Sequence, residues 1–94
     1  MITLSNDLLE LQQKVKNFIA KEVIPFENDS RQDNHGPSAE LCAELISQAR
    51  EWQLLTPHAS IEMGGLGWTH MQKAVAFEQA GYSALGPIAM NIHA

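Results

Sequence analysis

Between Asp7 and Ile24 the apolar residues Leu8, Leu11, Val15, Phe18 or Ile19, and Val23 recur every three to four positions. That spacing gathers them on one face of a long amphipathic helix, and a chain that begins this way must find other surfaces to cover the face. Ser5 or Asn6 can cap the helix, Asp7 suits its positive end, and Glu10 stands one turn before Lys14 in the favourable ion-pair order. Pro25 is expected to end it, because the residue before a proline is pushed out of the α region.

The same period returns further on. From Phe26 to Gly36 the composition turns to Asn, Asp, Ser, Gln and His with no period, a solvated connection with room for a helical turn, in which no site is expected. A second helix follows Gly36-Pro37-Ser38, with Pro37 in its first turn, one face formed by Leu41, Leu45 or Ile46, Ala49 and Trp52, and an end near Gln53. The stretch from Leu54 to Ile61 has no helical period and contains Pro57, so it should cross the surface in extended form, with Leu54 and Leu55 turned inward.

The run Glu62-Met63-Gly64-Gly65-Leu66-Gly67-Trp68-Thr69 is a glycine-dense turn, pointing to backbone that needs positive φ or close approach to another segment. Thr69 and Gln72 form a capping box at the start of a third helix that reaches Ala80. Its apolar positions Met71, Ala74, Val75, Phe77 and Ala80 are wider than one stripe and imply contacts on more than one side. After Gly81-Tyr82-Ser83, a fourth helix opens at Leu85 with Pro87 in its first turn and a stripe of Leu85, Ile88, Ala89 and Ile92. No stop signal is read there, so the helix is expected to run on, the chain to be a fragment, and the apolar face to need an outside partner. The fold class expected is all-α, one small domain over residues 1–94 with about four to five helices.

Composition excludes several roles. The formal charge is −5, and the six Lys and Arg are scattered from Lys14 to Lys73, so nucleic acid is not an expected partner. No apolar run approaches the roughly 20 residues of a membrane span and the start lacks a basic region, which predicts a cytoplasmic protein. Cys42, the one cysteine, can form no internal disulfide and reads as a small buried hydrophobe beside Leu41 and Leu45.

Catalytic signatures are missing. His35, His58, His70 and His93 fall at no metal-ligand spacing. The segment from Gly81 to Gly86 is one residue too long for a nucleophile elbow and follows a helix where that motif needs a strand. Gly64-Gly65-Leu66-Gly67 lacks the Lys-Ser or Lys-Thr pair of a phosphate loop and the third glycine of a dinucleotide fingerprint, where His70 stands. Glu40 and Glu44 lie one turn apart and read as a solvated face, while Glu78, beside Phe77, is the carboxylate to inspect first.

The order of these pieces resembles the N-terminal helical domain of the acyl-CoA dehydrogenase family. The resemblance rests on Phe18-Ile19-Ala20-Lys21-Glu22-Val23-Ile24-Pro25, Gly36-Pro37, Leu54-Leu55, Glu62-Met63-Gly64-Gly65-Leu66-Gly67 and Phe77-Glu78, and covers the chain from about Leu8 onward. The segment from Gly81 to Asn91 also looks like one branch of that family. Gln53 departs from the family pattern where glycine is usual, Ser60 where proline is common, and Met63 where an aromatic residue usually precedes Gly64.

The resemblance implies a three-part flavoenzyme that desaturates acyl-CoA thioesters. FAD is held mainly by a central β domain and a C-terminal four-helix domain. The C-terminal domain also carries the glutamate that removes the α-proton. Neither a catalytic nor a cofactor-binding residue is expected in this chain. Its share would be a wall of the acyl pocket, with Ile88, Ala89 and Ile92 against the hydrocarbon tail, or else packed only within the domain. The implied partners are the acyl-CoA substrate, an electron-transfer flavoprotein and further copies in a homo-oligomer. A related acyl-CoA oxidase or flavin monooxygenase would share this domain, and a non-enzymatic helical interaction module is the remaining alternative.

Overall fold

The computed structural model describes residues 5–33, 36–56, 61–63 and 65–92. Helix α1 (Asn6–Phe18) starts where expected, with the Ser5 hydroxyl accepting the Leu8 N–H at 3.3 Å. It does not run in α form to Ile24. The chain widens into a π turn over Ile19–Val23, where the Ile24 N–H donates to the Ile19 carbonyl five residues back, and then tightens into a 3-10 turn over Ile24–Phe26. Pro25 therefore sits inside helical backbone rather than ending it. In α geometry its ring would strike the Lys21 carbonyl and leave that acceptor without an N–H; the change of register just ahead of it avoids both. The π turn also lets Phe18 and Ile19 both point inward, together with Val15 and Val23. Glu10 and Lys14 form no ion pair, as is common for exposed side chains whose gain from pairing is small.

The polar connection is more ordered than its composition suggests. Its ends pair in a two-residue antiparallel ladder, β1 (Gln32–Asp33) with β2 (Gly36–Pro37), Gln32 opposite Pro37. Pro37 thus lies in the ladder and not in the first turn of α2 (Ala39–Glu51). The cap is Ser38, whose hydroxyl accepts the Leu41 N–H at 3.1 Å. Helix α2 buries Leu41, Leu45 and Ala49 completely, and Trp52 at its end meets the Phe18 ring at 5.6 Å with planes tilted by 60°. Cys42 is only half-buried, since it lies one position off that stripe.

The exit from α2 is a Schellman motif. The Leu54 N–H donates to the Ala49 carbonyl at 2.8 Å, the Gln53 N–H to the Arg50 carbonyl at 3.0 Å, and Gln53 takes φ 59°. This explains the departure noted at Gln53: the position is left-handed, where glycine fits without penalty. Leu54, the residue the motif turns inward, has no exposed surface.

A 3-10 turn (Ile61–Met63) precedes α3 (His70–Ala80), which opens with the capping box as predicted. The Thr69 hydroxyl accepts the Gln72 N–H at 3.2 Å, and the Gln72 side-chain oxygen accepts the Thr69 N–H at 2.8 Å. Its buried face is the expected one only in part. Val75, Ala76, Gln79 and Ala80 are buried, whereas Met71 is 43% exposed and Ala74 is exposed. The small residues Ala76 and Ala80 have no exposed surface, and small side chains allow the close helix approach that apolar spacing alone does not reveal.

Helix α4 (Gly86–Ala89) is one turn long, and it carries its own stop. Asn91 adopts φ 56°, the Asn91 N–H donates to the Ile88 carbonyl at 3.1 Å and the Ile92 N–H to the Pro87 carbonyl at 3.0 Å, a second Schellman motif. The expectation of a helix running on past Ile92 is overturned by Asn91, one of the few non-glycine residues that enters the left-handed region readily.

Helix α1 packs chiefly on α3 and α2 chiefly on α4. The core joins Val15, Phe18, Ile19 and Val23 with Leu41, Leu45, Ala49, Leu54, Ala76, Ala80, Leu85, Ala89 and Met90. Gly86 sets the approach of α4 to α3: a Cβ there would lie 2.1 Å from the Ala80 carbonyl oxygen. The shortest extent of the molecule is 21 Å, about two helix diameters of roughly 10–12 Å, so the fold is an all-α arrangement two helices thick.

Candidate functional site

The three residues expected to line an acyl pocket are brought together by α4 and its closing turn, but not as one helical stripe. The left-handed turn at Asn91 folds Ile92 back over Pro87, so Ile88 and Ile92 do not stand on successive turns of one helix. Both are partly buried and pack against the core, keeping some apolar surface in contact with solvent. Ala89 has no exposed surface and belongs to the core itself. A methyl group with no exposed surface cannot face a ligand, so any wall built here is made by Ile88 and Ile92.

This turn is held from across the fold. The Thr56 N–H donates to the Met90 carbonyl at 2.8 Å, the Asn91 side-chain amide donates to the Thr56 hydroxyl at 3.2 Å, and the Leu66 N–H donates to the Thr56 carbonyl at 3.2 Å. Thr56 itself takes φ 52°, a costly conformation for a β-branched residue. Sequence reasoning missed both members of this clasp. Asn91, three residues after Ile88, carried a usable stop signal; Thr56 carried none.

Two cavities open elsewhere on the surface. One, of about 550 Å³, lies between α1 with its π turn and the end of α3, lined by Gln12, Lys16, Ile19, Ile24, Gln79 and Tyr82 among others. The second, of about 740 Å³, is lined by Leu11, Lys14, Arg50, Gln53, Leu55, Leu66 and Trp68. None of Ile88, Ala89 and Ile92 borders either.

The strongest electrostatic cluster lies in the polar connection. The Arg31 guanidinium donates to both oxygens of Asp29, from Nε at 2.9 Å and from a terminal nitrogen at 2.8 Å, and to Glu44 at 2.6 Å, with Glu40 at 3.6 Å. The Arg31 backbone N–H adds a further bond to Asp29 at 2.8 Å, and the guanidinium lies 5.9 Å from the centre of the Phe26 ring. The side-chain bond from Arg31, followed by the backbone bond, holds the Asp29 carboxyl down at about 2. The Arg31 guanidinium is held well above its ordinary value, first by Asp29 and then by Glu44. Glu44 is thus part of an ion network and not merely a solvated face. Every oxygen of Asp29 is engaged within the protein, so the cluster fastens the connection to α2 and leaves no group poised for proton transfer.

The glycine turn is structural where it is described. Gly67 has φ 64°, and a Cβ there would come within 3.1 Å of the Ile61 side chain; Gly64 lies outside the described residues. The amides at the start of α3 that could attract a phosphate include the two already bonded within the capping box. Glu78 is exposed, without the apolar enclosure that a base would need, and His70 is an exposed first residue of α3. His35, His58 and His93 lie outside the described residues. Among the described residues no three His, Cys, Asp or Glu gather as metal ligands, and no helix is long and apolar enough to cross a membrane.

No curated protein and no solved structure matches the chain significantly. A family model does: residues 5–94 match the acyl-CoA dehydrogenase N-terminal domain. With nearly the whole chain covered, and with the left-handed residue after α2 and the glycine turn before α3 both in place, the chain belongs to the acyl-CoA dehydrogenase family as its N-terminal domain.

Proposed function

We propose that this chain serves as the N-terminal helical domain of an FAD-dependent acyl-CoA dehydrogenase, in which Ile88 and Ile92 form part of the wall that receives the acyl tail. The observation that carries the reading is the pairing of the family match with these two partly buried isoleucines at the end of the matched region. Removing the α-proton of a thioester and taking a hydride from the β-carbon need a base, a polarised carbonyl and a flavin, which the other domains of such an enzyme would supply. This chain's contribution is apolar surface and exclusion of water. Each methylene buried against such a wall gains about 0.8 kcal/mol, and a side chain that closes the cavity sets the length at which that gain stops.

The test is made on the FAD-loaded enzyme that contains this domain. Anaerobic addition of a saturated acyl-CoA should bleach the flavin and yield the α,β-unsaturated thioester, with electrons then passed to an electron-transfer flavoprotein. Rapid reoxidation by oxygen with release of peroxide would favour the acyl-CoA oxidase alternative. Failure of every acyl-CoA to reduce the flavin would refute the dehydrogenase assignment.

A further inference from the structure

We infer that Thr56 and Asn91 are positioning residues for acyl-chain length: their clasp fixes where the turn bearing Ile88 and Ile92 stands. The inference rests on the reading of those isoleucines as part of the pocket wall. Three observations lead to it. First, α4 is a single turn, too short to hold its own direction; its own carbonyls bond to the turn that follows, and the carbonyl of its C-cap, Met90, takes the Thr56 N–H from across the fold at 2.8 Å. Second, the Asn91 amide reaches 35 residues back along the chain to the Thr56 hydroxyl, so the backbone and the side chain of one residue both grip the same turn.

Third, the grip is maintained against strain. Thr56 is β-branched and left-handed at φ 52°, immediately ahead of Pro57, a setting that favours extended backbone. A threonine stays in that conformation only where its surroundings hold it, and here the holding contacts run to Met90, Asn91 and Leu66. Packing alone would need no such residue. Because Met90 and Asn91 stand between Ile88 and Ile92, moving the clasp moves both isoleucines together.

The experiment compares Thr56→Val, Thr56→Ser and Asn91→Gly in the FAD-loaded enzyme containing the domain. Valine keeps the branch and the volume of Thr56 and removes only the hydroxyl. Serine keeps the hydroxyl. Glycine at 91 keeps the left-handed turn and removes the amide. The measurements are the ratio of kcat/KM for a long and a short acyl-CoA, FAD content, Tm, and hydrogen exchange at the Ile92 amide. Thr56→Val and Asn91→Gly should each change the chain-length ratio by roughly threefold to tenfold, with faster exchange at Ile92. Thr56→Ser should restore the original ratio and exchange rate. A ratio unmoved in Thr56→Val and Asn91→Gly, while Ile92→Phe does move it, would overturn the positioning role and leave the wall intact. A ratio unmoved by Ile88→Phe and Ile92→Phe as well would remove the wall, and this inference with it.

Discussion

Replacing Gln53 by glycine should make this domain more stable, although it deletes a side chain and adds no contact. Gln53 is the residue after the C-cap of α2 and holds φ 59°, with its N–H donating to the Arg50 carbonyl. A non-glycine residue in the left-handed region costs about 1–2 kcal/mol because Cβ crowds the carbonyl oxygen. Glycine removes that cost and returns about 0.5–1 kcal/mol through the greater freedom of its unfolded chain. The side chain is exposed, so little packing is lost. The net gain is about 0.5–1 kcal/mol, which for a domain of this size raises Tm by roughly 3–6 °C. Thermal unfolding followed by far-ultraviolet circular dichroism reads this directly. Gln53→Ala retains Cβ and should leave Tm nearly unchanged, and Gln53→Val, β-branched, should lower it. A Tm for Gln53→Gly equal to or below that of the parent would refute the assignment of strain to this position.

Gly86→Ala should destabilise the domain by about 2–3 kcal/mol, since the added methyl meets the Ala80 carbonyl and overpacking of a rigid contact has costs of this order; urea unfolding with an unchanged midpoint would contradict it. The Asp29 carboxyl is held at about 2, below its ordinary 3.8. A depressed value stabilises the fold above the unfolded value and is lost as pH falls through the folded one. Stability should therefore decline between about pH 4 and pH 2, and Asp29→Asn should flatten that part of a pH titration of Tm. An equal slope in the variant would show that Arg31 does not depend on this carboxylate.

Much of the fold was legible because its signals are local. Ser5, the capping box of Thr69 and Gln72, and the stripe of Leu41, Leu45 and Ala49 are each read within a few residues, and each is found as expected. What escaped was set by partners far away in sequence. Arg31 meets Glu44 thirteen positions on, and Thr56 meets Asn91 thirty-five positions on, so neither spacing has a local signature. The buried face of α3 is legible at Val75 and Ala80 but not at Ala76, because alanine reads as weakly apolar while close helix packing favours it, leaving Ala76 inside and Met71 outside. Pro25 reads as a stop only under α geometry, and the π turn ahead of it changes the geometry. Of the candidate site, apolar spacing reads Ile88 and Ile92 as partly buried apolar positions, which they are, while their place at a pocket wall rests on the family resemblance. The turn that separates Ile92 from α4 was signalled by Asn91 and overlooked.

The central claim is that Ile92 meets the acyl tail, and one measurement addresses it most directly: kcat/KM across a series of acyl-CoA chain lengths for the FAD-loaded enzyme with Ile92→Phe. The larger side chain should lower the value for long chains by about tenfold relative to short ones, the order expected when a cavity loses room for a methylene or more. FAD content should remain that of the parent. A profile that falls equally at every length, or does not change at all, would place Ile92 away from the substrate and contradict the account.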